Sequence, residues 1–207
     1  MDQKDVCQML KENVSHETFQ KLEIYVALLN QWNSKINLVS KHDASRLWQR
    51  HIVDSFQMAN FISPQALSLV DLGSGGGFPG LVLSLVTSLT VTLIESDRRK
   101  TIFLSEVARE TGSTVRIICG RIENTKIPKV DIVTARALAP LKQLIKFSQY
   151  FLNKDGYCLF LKGKNVDSEI EKAKTMYKFH YEKIPSLIDD NGVILKLSPM
   201  EWFKKEC

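Results

Sequence analysis

The sequence predicts an α/β protein: a doubly wound, mainly parallel sheet with an N-terminal helical extension and a C-terminal antiparallel hairpin. Three observations carry this. From Leu67 onward, the apolar runs LSLVDL, TVTLIE, TVRIIC, VDIVTA and GYCLFLK alternate with helix-like stretches near 79–87, 97–111, 140–151 and 167–176. That alternation implies right-handed crossovers and a sheet covered on both faces. The last two apolar runs, KFHYEKI and GVILKLS, have no helix between them and so form a hairpin at the sheet edge. The first sixty residues carry apolar positions at helical spacing instead.

In that first part, Phe19, Leu22, Val26 and Leu29 lie at i, i+3, i+7 and i+10, with Tyr25 and Trp32 widening the stripe and Ser15 placed as N-cap. After a break at residues 35–38, a second helix is expected from near Asp43, burying Trp48, Ile52, Phe56 and Ala59 before Pro64 stops it. The chain divides into an extension, residues 1–62, and a core, residues 63–207, of a single domain.

Composition sets outer limits. With 207 residues, 44% hydrophobic and 25% charged, the chain belongs with globular proteins rather than disordered or collagen-like ones. A formal charge of +5 mildly favours an anionic partner such as nucleic acid. Cys7, Cys119, Cys158 and Cys207 show neither zinc-ligand nor disulfide-framework spacing, so no metal site is expected and a reduced, cytoplasmic compartment fits. The N-terminus lacks the apolar core of a signal peptide. Residues 72–94 are uncharged, but five glycines and Pro79 make them strand, loop, helix and strand rather than a membrane span. A monomer without a membrane partner is expected.

The most informative segment runs from Val70 to Gly80, VDLGSGGGFPG, after the first strand and before the first core helix. In such sheets ligands bind at the carboxyl ends of the strands, and glycines let a ligand pass directly over the backbone of Gly73, Gly75 and Gly77. Gly75, Gly77 and Gly80 also match a dinucleotide pattern. Asp71 argues otherwise: a carboxylate there would repel a pyrophosphate and attract the ammonium and sulfonium of S-adenosylmethionine. Glu95 ends the second strand, 24 positions after Asp71, where it can accept from ribose hydroxyls or cap the next helix beside Ser96 and Asp97. The third strand ends at Cys119-Gly120-Arg121-Ile122-Glu123, the usual place for an adenine clasp.

These residues resemble a known family, the bacterial 16S rRNA guanine-N7 methyltransferases, also called the glucose-inhibited division protein B family. The resemblance covers nearly all of the chain. It rests on Trp32-Asn33-x-x-x-Asn37-Leu38-x-Ser40, Arg50-His51-x-x-Asp54-Ser55, the Asp71–Gly80 loop, Glu95-Ser96, Gly120-Arg121-x-Glu123, Ala135-Arg136-Ala137 and Lys162-Gly163. It implies a class I, Rossmann-like methyltransferase with cofactor contacts at Gly73, Phe78, Ile122, Glu123 and Arg136, and Glu95 at the ribose. The implied substrate is a guanine of 16S ribosomal RNA, within the small ribosomal subunit or its precursor. One departure concerns a Gly-x-Arg type motif usual before the last strand: here Asp189-Asp190-Asn191-Gly192-Val193-Ile194 lacks the arginine.

On the substrate side, Arg50, His51, Asp54 and Ser55 have spacings that place them on or near one helix face. They read either as a structural tether, with Arg50 bridged to Asp54 and His51 capping a turn, or as the frame of the substrate pocket. Arg136, after the fourth strand, can orient a methionine carboxylate or a guanine edge, or can pair structurally with Asp131 or Glu123. No Asn/Asp-Pro-Pro-aromatic loop follows that strand, which demotes methylation of exocyclic amines. Cys119 and Cys158 lack the setting of a covalent nucleophile and read as buried strand residues. Guanine N7 is unprotonated at neutral pH, so its methylation needs no general base. Among the candidates for phosphate contact (Lys35, Lys41, Arg46, Arg98, Arg99, Lys100, Lys162 and Lys164), Lys162 and Lys164 bracket Gly163 on the rim of the glycine loop. Three other readings stay open: a methyltransferase for a small molecule or protein, an NAD-dependent oxidoreductase, and a catalytically silent RNA-binding assembly factor.

Overall fold

In the computed structural model, which describes residues 3–40 and 43–198, the extension packs as an extra layer on one face of a seven-stranded sheet. Helix α1 (Gln3–Asn13) buries Val6 and Leu10. Helix α2 (His16–Asn33) begins where the Ser15 hydroxyl accepts from the Thr18 amide, and it buries Phe19, Leu22, Tyr25, Val26 and Leu29. The second predicted helix is not a uniform α-helix. Residues 44–61 pass from a 3-10 turn into a π-helical stretch (Trp48–Val53), a short α3 (Asp54–Phe56) and a second 3-10 turn (Gln57–Phe61). The widened π turn brings His51, Ile52 and Val53 inward together with Trp48. Phe56 and Ala59, expected to be core, are only half-buried, whereas Ser55 and Gln57 are buried.

The core sheet is built from β1 (Ser68–Leu72), β2 (Thr90–Glu95), β3 (Arg116–Cys119), β4 (Val130–Arg136), β5 (Leu152–Lys162), β6 (His180–Pro185) and β7 (Val193–Ser198). Their order is β3-β2-β1-β4-β5-β7-β6, with β7 antiparallel to both neighbours. The expected parallel sheet and edge hairpin are both present. Helices α4 (Gly80–Val86) and α5 (Arg98–Thr111) cover the face shared with the extension; α6 (Leu141–Ser148) and α7 (Val166–Lys174) cover the other. Side-chain alternation sorts each strand between two cores. Leu69, Leu93, Ile132 and Leu159 face the first, while Val70, Leu72, Val133 and Phe160 face the second. Helix α6 stops earlier than its apolar pattern suggests, because the Val130 amide donates to the Phe151 carbonyl and draws the following residues into β5.

Long-range bonds fasten the extension to the turn between β6 and β7. The Gln57 side chain donates to Ser186 Oγ and accepts from the Leu187 amide, and Arg50 Nη1 meets Asp189 Oδ2 at 2.5 Å. Asp131, at the opposite end of β4 from the glycine loop, accepts from the amides of Leu67 and Ser68, from Ser68 Oγ and from Asn153 Nδ2, which locks the start of β1.

At Gly80 the first helix of the core lies directly on the sheet. A Cβ there would stand 2.5 Å from Asp71 Cβ and 2.6 Å from Leu93 Cδ2. Gly80→Ala is therefore expected to lower unfolding free energy by about 1–3 kcal/mol, as overpacked substitutions do. Urea unfolding monitored by circular dichroism checks this; an unchanged midpoint refutes the tight contact.

Candidate active site

A cavity of about 450 Å³ opens at the carboxyl ends of β1, β2, β3 and β4, beside the point where the strand order reverses. The loop after β1 forms its floor. Gly73, Gly75 and Gly77 adopt φ of 66°, 57° and 96°, conformations that disfavour other residues. The amides of Gly73 and Ser74 both donate to the Ile94 carbonyl, and the Gly75 amide donates to Glu95 Oε2 at 2.8 Å. Gly73 and Gly75 line the cavity. Gly77, expected at the cofactor, does not: it turns toward the extension, where a Cβ would collide with the Tyr25 hydroxyl.

Tyr25 holds this loop from outside. Its buried hydroxyl donates a short hydrogen bond to the Gly76 carbonyl, and its ring stacks on Phe78 at 5.4 Å. Phe78 also meets His51, 4.8 Å away with a 31° tilt. Asn33 Oδ1 accepts from the Leu38 and Val39 amides, which sets those two side chains at the cavity lip. The extension thus contributes to the cavity wall as well as to the core.

Asp71 is placed otherwise than the sequence argument supposed. It shares a strand face with Leu69, is fully buried, and accepts from Thr134 Oγ1 at 2.7 Å. It lies beneath the loop and lines no part of the cavity, so it attracts no ligand cation by contact; burial raises its carboxyl to about 6. Glu95, unlike Asp71, does reach the cavity. Its Oε1 accepts from the Asp97 amide at 2.7 Å, so it both organises the start of α5 and borders the pocket. Ile122 and Glu123 line the far end, in the turn after β3.

Arg136, at the end of β4, lies between this cavity and a second one of about 300 Å³. It does not pair with Asp131 or Glu123. Its Nη2 donates to the Arg50 carbonyl at 2.6 Å and its Nη1 lies 3.4 Å from Asp54 Oδ2. Asp54 in turn accepts from Gln57 and Ser186. Arg50 pairs with Asp189 and, at 3.6 Å, with Asp43 rather than bridging to Asp54. Asp189, in the turn that lacks the arginine of the expected Gly-x-Arg motif, therefore receives a cation from the extension. Ala137 follows with a φ of 50°, a strained value for a residue with a Cβ, on the border of both cavities.

Other expectations need correction. Ser55 lines neither cavity; its hydroxyl donates to the His51 carbonyl one turn back. His51 caps no turn, and neither ring nitrogen has a hydrogen-bond partner among the described residues. Lys162 is largely buried in an ion pair with Glu169 at 2.7 Å and also donates to the Ala139 carbonyl. Its charge is therefore already matched, while Lys164 is exposed on the rim of the second cavity. Arg99 is paired with Asp97, Lys100 unexpectedly lines the first cavity, and Lys41 lies outside the described residues. Cys158 is buried as expected, but Cys119 is exposed. Leu38, Val39, Ser74, Gly76 and Leu138 are lining residues not singled out for the site from sequence. Among the described residues, no His/Cys/Asp/Glu group is arranged to hold a metal, and no helix is long and apolar enough to cross a membrane.

Comparison with known proteins bears on this geometry. The family model described as rRNA small subunit methyltransferase G matches residues 18–191. The ribosomal RNA small subunit methyltransferase G of Gluconobacter oxydans (strain 621H) is 49% identical over 185 residues, covering 89% of this chain and 95% of the relative. Its counterpart in Orientia tsutsugamushi (strain Ikeda) is 48% identical, covering 89% and 92%. Among solved structures, a ribosomal protein L11 methylase from Lactobacillus delbrueckii subsp. bulgaricus has the same fold, with TM-score 0.61, 18% identity and coverage of 79% and 81%. A putative S-adenosyl-L-methionine-dependent methyltransferase from Methanococcus maripaludis does so with TM-score 0.59 and 13% identity, covering 85% and 92%.

Two buried groups of the site make stability depend on pH in opposite senses. Asp71 moves from 3.8 up to about 6, so the unfolded chain releases this proton first and stability is lost as pH rises from about 4 to about 6. His51 moves from 6.5 down to about 3, through burial and the neighbouring Arg136, so stability is lost as pH falls from about 6.5 to about 3. Asp71→Asn removes the first contribution and leaves the second. Its unfolding free energy should rise with pH about 1.4 kcal/mol per unit more steeply than that of the unsubstituted protein between about pH 4 and 6. Parallel curves in urea titrations across that window refute the assignment.

Proposed function

The chain belongs to the rRNA small subunit methyltransferase G family, and from that premise we propose that it transfers a methyl group from S-adenosylmethionine to N7 of a guanine in 16S ribosomal RNA. The observation that carries this reading is the single cavity framed by the Gly73–Gly75 backbone, Glu95 and Arg136 at three adjacent strand ends. The cavity is large enough and suitably built for the methyl donor. Its floor is bare backbone, where a Cβ on Gly73 would stand 2.5 Å from Leu138, and its wall carries buried polar atoms on His51 and Arg136 that have no hydrogen-bond partner among the described residues.

When bound, S-adenosylmethionine supplies an electrophilic methyl on a positively charged sulfur. The residues of this chain hold and shield the reactants. Glu95 offers its carboxylate to the ribose hydroxyls, Gly73, Gly75 and Phe78 border the donor, and Ile122 and Glu123 border the adenine. Guanine N7 already carries a free lone pair. As the N7–carbon bond forms and the carbon–sulfur bond breaks, positive charge passes to the base and no proton moves, so no side chain has to act as a base. Catalysis consists of alignment and exclusion of water. Arg136 suits an orienting role because the Arg50 carbonyl and Asp54 fix its guanidinium and offset its charge. Arg50 and Asp54 support the pocket through these contacts, and Lys164 and the second cavity lie on the side from which the RNA approaches. The substrate is the RNA within the small subunit or its precursor, and the protein works in the cytoplasm as a monomer.

The test is transfer from radiolabelled S-adenosylmethionine to undermethylated small subunits, followed by nucleoside analysis. The expected product is 7-methylguanosine, with the rate reduced about 100-fold or more by Arg136→Ala in a folded protein. Label in another nucleoside, or none, overturns the reading. Because no proton is transferred, the rate should stay flat from about pH 6.5 to about 8.5, and a steep change across that range argues for a titrating base.

A further inference from the structure

One side chain in the cavity wall is unexplained by the fold. His51 is 7% exposed, and neither Nδ1 nor Nε2 has a hydrogen-bond partner among the described residues. Buried polar groups are nearly always bonded, so a ring that borders a ligand cavity with both nitrogens idle is waiting for a ligand atom. Its place in the cavity narrows which one. The ends of β2 and β3 carry Glu95, Ile122 and Glu123, the positions suited to ribose and adenine; His51 lies at the other end, against Phe78 and near the lip formed by Leu38 and Val39. Arg136 Nη1, the other buried donor of this wall without a hydrogen bond, lines the same cavity. A desolvated carboxylate requires such donors. The amino-acid tail of the methyl donor, which distinguishes it from a simple nucleoside, carries one.

Resting on the methyl-transfer reading above, we propose that His51 binds the amino-acid end of S-adenosylmethionine, donating one ring N–H to its carboxylate beside Arg136. The extension then supplies a direct contact to the donor, and His51 is a positioning residue rather than a proton acceptor. An uncharged ring suits this place, because a second cation beside Arg136 would have to be buried with it.

Two ligands isolate the contact: S-adenosylhomocysteine, which has the tail, and 5′-methylthioadenosine, which keeps the nucleoside and lacks it. His51→Phe retains a ring against Phe78 and removes both nitrogens. By calorimetric titration it should weaken S-adenosylhomocysteine about 10- to 100-fold, the range for a lost hydrogen bond to a charged group, and change 5′-methylthioadenosine by less than about twofold. Unchanged affinity for S-adenosylhomocysteine, or equal weakening of both ligands, overturns the proposal. If His51→Phe does not fold, His51→Leu is titrated with the same pair and judged by the same criterion. Failure of the unsubstituted protein to bind S-adenosylhomocysteine overturns the methyl-transfer reading itself and this inference with it; a failure confined to the variant comparison leaves that reading standing.

Discussion

The geometry of the site depends on one constraint: the backbone of Gly73–Gly77, in which only Ser74 carries a side chain, must be held in place largely from outside. Three residues do so from two sides, the end of β2 and the extension. Glu95 accepts the Gly75 amide from the β2 side, Tyr25 donates to the Gly76 carbonyl from the extension, and the Ile94 carbonyl accepts two amides at the end of the strand. Bare backbone gives a ligand close approach, but it also has the conformational freedom that glycine confers. Restraint from outside removes that freedom and gives the largely helical extension in front of the first strand a part in the site. The aromatic series Tyr25, Phe78 and His51 turns a packing interface into one wall of the site.

Charge follows a similar division of labour. The net charge of +5 suggests cations available for RNA, yet several of the positions that looked best placed are already matched. Lys162 is paired with Glu169, Arg50 with Asp189, Arg99 with Asp97, and Arg136 is balanced by Asp54. Near the cavity, cations mainly fix geometry, because burying a charge demands a partner. Lys164, by contrast, is exposed on the rim of the second cavity.

Much of this was legible in the sequence. Apolar alternation located all seven strands, and the absence of a helix between the last two strands marked the hairpin. The glycine loop, Glu95 and Arg136 stood at strand ends, where topology alone brings them together. Legibility failed where function depends on the direction of a side chain or on distant partners. Asp71 was near enough in sequence to be assigned to the ligand, although the two-residue period of its strand puts it with Leu69 toward the first core, and both faces of that strand are buried. His51 could be read as a structural tether or as part of the pocket, and spacing alone did not show that its ring would be buried against Phe78 with both nitrogens unpaired among the described residues. The Arg50–Asp189 contact spans 139 positions, and no local pattern announces it.

That last contact and the Gln57 bonds to Ser186 and Leu187 have a consequence for how the protein comes to be folded. The segment around residues 50–57 takes the β6–β7 turn as its partner, between 129 and 139 positions further along the chain. Such distant pairings raise contact order and slow folding, because the intervening loop must close first. The core strands can associate while the extension waits, so the His51 and Phe78 wall is completed only when the C-terminal hairpin is in place. Until the two meet, the glycines and Glu95 stand beside a wall whose outer support is missing, so the site is the product of a long-range pairing and not of the strand ends alone.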